Sequence, residues 1–198
     1  DTDQTRLVPG AVEAILESLR WLGLDWDEGP DGAGGDGAGP YGPYLQSRRL
    51  TLYHRHAEEL LAKGALYPCF CSTERLAEMR GDQQRRKLPP GYDGRCRDLS
   101  PQEIGAHEAE GTARVLRFRV PVDGTTTVKD LIRGAVTWEN RLLDDFVGMK
   151  SDGFPTYHLA SVVDDHHMEI SHVLRAEEWL SSTPRHLLLY DALGWTPP

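Results

Sequence analysis

The chain has 198 residues, and because 39% are hydrophobic, a packed core is expected and wholesale disorder is not. Its 22 basic and 31 acidic residues give a net charge of −9, which excludes a histone-like protein that binds nucleic acid by bulk positive charge. No apolar run approaches the ~18 residues of a membrane span, and the acidic opening at 1–3 is unlike a secretory leader. The three cysteines, an odd and small number, favour a reducing compartment.

The first third of the chain is predicted to hold two helices separated by a glycine-rich segment. Apolar residues recur at helical spacing over 12–22 and again within 47–63, with Gly23 and Gly64 as stop signals. Glycine is frequent over 29–43, and the entropic cost of ordering such a backbone predicts a mobile surface loop. The strand-then-helix setting of a phosphate-binding loop is missing there, so no phosphate site is expected.

The remaining sequence mixes strand and helix signals. Strands are predicted at 115–120, 125–128, 135–138, 146–149 and 170–174, and helices at 157–163 and 184–193. This is an α/β pattern, and the strand-richer, cysteine-containing stretch within it indicates an insertion. We therefore divide the chain into 1–66, an inserted domain at 67–150, and 151–198.

The cysteines have the spacing of a metal site. Cys69 and Cys71 can chelate one ion across a tight turn, and Cys96, 25 residues further on, would close a loop. The candidates for a fourth ligand are Tyr92, Asp98, His54 and His56. The competing interpretation is three ordinary buried cysteines. A redox role is disfavoured because Cys-x-x-Cys spacing is missing.

The run Asp-Asp-His-His at 164–167 combines carboxylates with imidazoles, which invites a metal or acid–base interpretation. Adjacent residues on a helix or strand point apart, so these four side chains are not expected to meet at one ion. We favour a polar loop that follows a buried helix and contains a capping Asp.

Arg175 follows an apolar run and is predicted to lie where a buried strand ends, the edge at which α/β sheets bind ligands. Its guanidinium offers a rigid fork of donors to a carboxylate. Tyr157 and Ser161 are four apart on a predicted helix, so they share a face and can line the same pocket. The alternatives are a surface ion pair between Arg175 and a nearby Glu, and simple packing for Tyr157.

Several motifs, taken in chain order, resemble one family. They are Asp-Thr-Asp-Gln at 1–4, Arg-Trp-Leu-Gly-Leu-Asp-Trp-Asp at 20–27, Tyr-Leu-Gln-Ser-Arg at 44–48, Gly-Tyr-Asp-Gly at 91–94, Ser-Asp-Gly-Phe-Pro-Thr-Tyr at 151–157, Val-Val-Asp-Asp-His at 162–166, Arg-Ala-Glu-Glu-Trp-Leu at 175–180, and Thr-Pro-Arg-His at 183–186. Together they resemble bacterial and organellar glutamyl-tRNA synthetases over nearly the whole chain. The resemblance implies an incomplete Rossmann-type class I synthetase catalytic domain, interrupted at 67–150 by an α/β domain that binds the tRNA acceptor stem.

The resemblance also implies an activity. The family attaches L-glutamate to tRNA(Glu) through glutamyl-adenylate, using ATP with Mg²⁺ and releasing AMP and pyrophosphate. A monomer in the cytoplasm or an organellar matrix, with no membrane partner, is the matching expectation. Two alternatives stay open: the short paralogue that glutamylates queuosine on tRNA(Asp), and a non-catalytic module that binds the acceptor stem.

By the same likeness, residues take individual roles. Arg175 would bind the side-chain carboxylate of glutamate, Tyr157 and Ser161 would shape its pocket, and Glu178 and Trp179 would lie on the ATP side. The cysteine trio would hold Zn²⁺ with Tyr92, and Asp98 stands where some relatives place a His ligand. The residues expected to contact tRNA phosphates are Arg85, Arg86, Lys87, Arg117 and Arg119. The alternative for that set is a group of solvated arginine-rich turns.

Two family signatures are not found in the 198 residues: the His-x-Gly-His segment that binds ATP and the Lys-x-Ser-Lys loop that stabilises the transition state. We therefore expect the isolated chain to be a portion of a longer polypeptide and inactive alone. No catalytic side chain is assigned within it. Class I chemistry depends on aligning two reactants and stabilising phosphate charge, so a missing nucleophile is no objection.

Overall fold

The structure, a computed structural model, describes residues 2–3, 8–30, 37 and 39–198. Its helices are α1 (Ala11–Trp21), α2 (Leu50–Ala62), α3 (Thr73–Arg85), α4 (Pro101–Ala109), α5 (Tyr157–His167) and α6 (Thr183–Leu193). Its strands are β1 (Leu66–Cys69), β2 (Val115–Phe118), β3 (Thr125–Asp130), β4 (Gly134–Glu139) and β5 (Val147–Met149). Short 3₁₀ helices lie at Gln46–Arg48, Asn140–Leu142 and Glu177–Ser182. Part of the predicted glycine-rich loop, 31–36 and 38, lies outside the described residues.

Every predicted helix is confirmed, as are four of the five predicted strands. The sequence analysis missed β1, α3 and α4. Helix α4 carries a readable signal: Ser100 accepts from the Glu103 backbone N–H, and the Glu103 carboxylate accepts from the Ser100 N–H, a reciprocal capping box. Helix α3 is harder to read because no residue of it is buried, so it has no apolar stripe.

Two antiparallel sheets form within the described residues. The larger has the strand order β1–β2–β5, with Leu66 opposite Phe118 and Arg117 opposite Val147. The smaller is the β3–β4 hairpin, in which Thr126 faces Trp138.

The larger of two apolar clusters in the described residues joins the larger sheet to helices α2, α5 and α6, and the smaller one contains Tyr67, Cys69 and Cys96. The fully buried members of the larger cluster include Tyr53, Leu60, Leu66, Leu159 and Leu189. Burying each such side chain contributes about 1.5–3 kcal/mol to the free energy of folding. Phe118 and Met149 of the middle stretch are also buried in this core, which therefore takes residues from all three predicted parts of the chain. The boundaries at 66 and 150 stay a prediction.

The predicted strand at 170–174 is wrong. Residues 170–176 have no regular structure, and Leu174 is 95% exposed. The apolar run that suggested a buried strand has no described neighbouring strand to hydrogen-bond with, so it forms no ladder. Consequently Arg175 follows an irregular segment rather than a sheet edge.

The predicted polar loop at 164–167 is also wrong, because these residues form the last turns of α5. Asp164 is buried, and its carboxylate accepts from Arg49 Nε at 2.7 Å, Tyr53 Oη at 2.8 Å and Gln46 Nε2 at 2.9 Å. It therefore links α5 to the segment that begins α2.

No helix in the described part of the chain is long and apolar enough to span a bilayer.

Candidate functional site

Arg175 lies just before the 3₁₀ helix Glu177–Ser182, beside the N-termini of α5 and α6. Its Nη1 donates to Tyr157 Oη at 3.2 Å and lies 3.4 Å from His186 Nδ1, and its Nη2 donates to Thr183 Oγ1 at 2.9 Å. A guanidinium has five N–H donors. Three are directed at these acceptors, so within the described residues two donors are left for a ligand.

Aromatic rings line one side of this guanidinium. The Tyr157 ring centroid is 5.1 Å from that of Trp179 and 5.3 Å from that of His186. Tyr157 is 37% exposed and Trp179 45% exposed, so the cluster faces solvent. Ser161 is partly buried one turn further along α5, and Glu178 is exposed beside Trp179. The structure therefore brings Arg175, Tyr157 and Trp179 together and places Ser161 and Glu178 next to them in sequence.

Arg175 makes no ion pair with the glutamates that follow it among the described contacts. Glu177 instead pairs with Arg133 at 2.6 Å, at the turn of the β3–β4 hairpin. The alternative of a local surface ion pair for Arg175 is thus not what the structure shows.

A histidine pair behind Arg175, buried His186 and partly buried His158, was missed by the sequence analysis. His158 Nδ1 lies 3.2 Å from His186 Nε2, and the His158 ring is edge-on to Phe146. Burial lowers the pKa of His158 to about 4, and it lowers that of His186 to about 3 with help from the nearby charge of Arg175. Both imidazoles are therefore neutral at neutral pH. His158 directly follows the motif at 151–157 and His186 is the last residue of the motif at 183–186, but no spacing rule links the two.

The three cysteines converge as predicted. Their Sγ atoms lie within 4.8 Å of one another, with Cys71 and Cys96 3.6 Å apart, and all three are free thiols. Tyr92 Oη is 3.4 Å from Cys69 Sγ and 3.6 Å from Cys71 Sγ. Four donors at Zn–S distances of about 2.3 Å in a tetrahedron would put sulfur atoms about 3.8 Å apart, so this donor set fits a zinc ion.

The other candidates for a fourth ligand lie elsewhere. Asp98 accepts from Arg119 Nη1 at 2.9 Å, and its side chain is 85% exposed. His54 contacts the carbonyl of Gly153, and His56 contacts His167. Tyr92 is thus the candidate beside the thiols, and the suggestions of Asp98, His54 and His56 are corrected.

The Arg117 guanidinium lies over the Tyr92 ring, 3.8 Å from its centroid. Burial alone would raise the pKa of the Cys69 thiol, but its hydrogen bonds with the Tyr92 phenol, the Cys71 backbone and the Arg117 guanidinium bring that pKa below its usual value. Arg117 is only 6% exposed and donates to the carbonyl of Asp145. Its expected contact with tRNA phosphate is therefore corrected: Arg117 supports the cysteine cluster from within.

The other predicted RNA-contacting residues differ in accessibility. Arg85, Arg86 and Lys87 are exposed at the end of α3, and the two arginines pair weakly with Asp82 at 3.4 and 3.2 Å. Arg119 contacts Asp98 and the carbonyl of Arg97. The first three therefore form the accessible part of the predicted set, which we call the α3 basic end.

Comparison with known proteins assigns the chain to a class of protein. The whole chain, residues 1–198, matches the family model described as tRNA synthetases class I (E and Q), catalytic domain. The chain belongs to this family of class I aminoacyl-tRNA synthetases, which confirms the predicted fold class and family.

Within that family, the chain is similar to proteins named glutamate–tRNA ligase. That of Dehalococcoides mccartyi is 64% identical over 198 residues, and that of Fusobacterium nucleatum is 51% identical over 198 residues; each alignment covers 100% of this chain and 38% of the relative. The crystal structure of a glutamate tRNA ligase from Elizabethkingia meningosepticum in complex with its amino acid aligns with a TM-score of 0.91 at 40% identity, over 100% of this chain and 40% of that one. The chain thus spans well under half the length of these relatives.

Proposed function

We propose that this chain forms part of the catalytic core of an enzyme that attaches L-glutamate to tRNA(Glu), through glutamyl-adenylate made from ATP with Mg²⁺. The observation that carries the proposal is the Arg175 guanidinium, which Tyr157 and Thr183 hold while two of its donors are left for a ligand. The names of the relatives, at up to 64% identity, support the same substrate.

In this proposal Arg175 selects glutamate by charge. A carboxylate accepts two hydrogen bonds from a guanidinium fork, whereas the amide of glutamine presents N–H donors to half of it. A donor facing a donor in a partly desolvated pocket loses a hydrogen bond and its solvation together. Tyr157 and Ser161 form the wall of this pocket on α5.

Trp179 and Glu178 are proposed to face ATP. The half-exposed indole of Trp179 offers a flat surface on which a purine base can stack. The role of these groups in the reaction is to align a carboxylate with the α-phosphate, which requires positioning rather than proton transfer.

The test of the whole proposal is charging of tRNA with labelled glutamate by the fully encoded protein. Esterification of tRNA(Glu) supports it, and labelling of tRNA(Asp) would support the queuosine paralogue instead.

The stretch 67–150 is proposed to bind the acceptor stem, with the α3 basic end on phosphates. Changing Arg85, Arg86 and Lys87 to Ala should weaken binding of an acceptor minihelix and flatten its salt dependence by up to ~0.9 in slope per lost contact. Fluorescence titration over a salt series measures both. As a control, changing Arg20 of α1 and Lys63, the residue that follows α2, to Ala should leave the slope as it was. An unchanged slope in the triple variant would remove the α3 basic end from the interface.

We also propose that Cys69, Cys71, Cys96 and Tyr92 hold a structural Zn²⁺, which would tie β1 to the loop after α3. Replacing Cys96 with Ser removes one thiolate, and because metal binding is coupled to folding, the 67–150 region should lose both zinc and thermal stability. Elemental analysis should find about one equivalent in the parent and little in the variant. The control is Asp98→Ala, which should keep its metal. A parent with below about one tenth of an equivalent would leave the cysteines as packing residues.

A further inference from the structure

The Arg175 guanidinium must keep a fixed orientation if its two remaining donors are to bind a carboxylate. Behind it lies a pair of histidines to which the pocket assignment gives no role. His186, at the start of α6, directs Nδ1 at Arg175 Nη1. His186 is 6% exposed, and its other nitrogen faces His158 on α5. The pair therefore connects the guanidinium to two core helices.

Arg175 determines which group donates and which accepts in each hydrogen bond of the series Arg175–His186–His158. A guanidinium only donates, so His186 Nδ1 must accept, and the single proton of the neutral ring then sits on Nε2. That proton is directed at His158 Nδ1, 3.2 Å away, which must accept in turn. A proton on His186 Nδ1 would instead face a positive charge in a buried site. One arrangement of protons is thus consistent with the three groups.

We propose that His186, itself oriented by His158, is a positioning residue that fixes the Arg175 guanidinium for the side-chain carboxylate of an acidic amino acid. This inference rests on the proposed function, because it presumes that Arg175 binds the substrate. His186 touches no reacting group. It occupies one Nη1 donor, and Thr183 occupies one Nη2 donor, so the guanidinium plane is held at two nitrogens.

Two variants distinguish whether His186 acts as a hydrogen-bond acceptor for Arg175 or only fills space in the core. His186→Leu keeps apolar bulk but leaves the Arg175 donor unpaired. His186→Asn places an amide oxygen near the Nδ1 position, so an acceptor for Arg175 is restored without the bond to His158. The matched control is His56→Leu, since His56 is also 6% exposed but lies on α2 and contacts His167.

The measurements are KM for glutamate, KM for ATP and kcat in tRNA charging by the fully encoded protein. His186→Leu should raise KM for glutamate about 10- to 100-fold, the effect of one hydrogen bond to a charged group, while KM for ATP changes little. His186→Asn should recover most of that loss. His56→Leu should lower the melting temperature and leave KM for glutamate unchanged.

Failure of this inference differs from failure of the proposed function. If Arg175→Ala raises KM for glutamate but His186→Leu does not, Arg175 needs no positioning by His186 and the inference is overturned. It is equally overturned if His186→Asn is as impaired as His186→Leu, because the ring would then act by packing alone. If Arg175→Ala itself leaves KM for glutamate unchanged, the glutamate pocket assignment fails.

Discussion

Replacing Arg175 with alanine should cost glutamate activation about 2–5 kcal/mol, or roughly 30-fold to several-thousand-fold in kcat/KM, the range for truncating one partner of a hydrogen-bonded charge pair. The reason is that the carboxylate of glutamate would enter a partly desolvated pocket with no counter-charge. Use of glutamine should fall much less, so the variant should lose most of its preference between the two amino acids. Steady-state charging of tRNA with each amino acid gives both numbers.

Arg175→Lys is the informative companion to that variant. A lysine ammonium keeps the charge but lacks the planar fork, so it cannot satisfy Tyr157, Thr183 and a carboxylate in the same geometry. We expect it to fall between the wild type and Arg175→Ala. An alanine variant that uses glutamate as the wild type does, with an unchanged fold by circular dichroism, would place the substrate carboxylate elsewhere.

Replacing Asp164 with alanine should lower the free energy of unfolding by about 3–5 kcal/mol, the usual cost of breaking a buried ion pair from one side. The variant leaves the Arg49 guanidinium, whose side chain is 5% exposed, without its carboxylate, and it also removes the acceptor of the Tyr53 hydroxyl. Urea denaturation followed by fluorescence measures the loss. A change of less than about 1 kcal/mol would mean that the pair contributes no more than a surface salt bridge.

The neighbouring carboxylate provides the matched control. Burial and, second, the charge of Asp164 raise the pKa of Asp165 to about 6. A carboxyl whose pKa is higher in the folded state stabilises the fold below its unfolded pKa, and that contribution is lost as the pH rises through about 6. Asp165→Asn should therefore be as stable as the wild type or more so at pH 7, and its stability should vary less between about pH 4 and 6.

What the sequence predicted well depends on local physics. Helices α2 and α6 have apolar residues at helical spacing and glycine stop signals, and both lie where the pattern placed them. Strands β3 and β4 lie where clustered β-branched residues placed strands, and the structure adds that the two pair as a hairpin. The cysteines meet because a near pair and a distant third thiol leave few compact arrangements, although spacing alone did not select Tyr92 over Asp98.

The errors have tertiary causes. Residues 170–174 were predicted to form a buried strand because they are apolar. A strand needs a neighbouring strand to hydrogen-bond with, and hydrophobicity does not indicate whether one is nearby. The polar run at 164–167 read as a loop because buried charge is rare, and Arg49, which neutralises Asp164, is 115 residues away. Arg117 read as an RNA contact for the same reason: its burial depends on the aromatic ring of Tyr92 from a different segment.

The shared core limits how this protein can be recombined with its relatives. Strands β2 and β5 come from the predicted insertion, yet they bury Phe118 and Met149 against helices from both flanks, and β1 crosses the predicted boundary because it begins at Leu66. A chimera joined at residues 66 and 150 would therefore pack the strands of one protein against the helices of another, with core side chains that do not fit together. Helices α3 and α4, which bury no residue and each carry a Ser cap, can be exchanged with little loss of core packing, and for α3 the exchange would also replace the proposed α3 basic end.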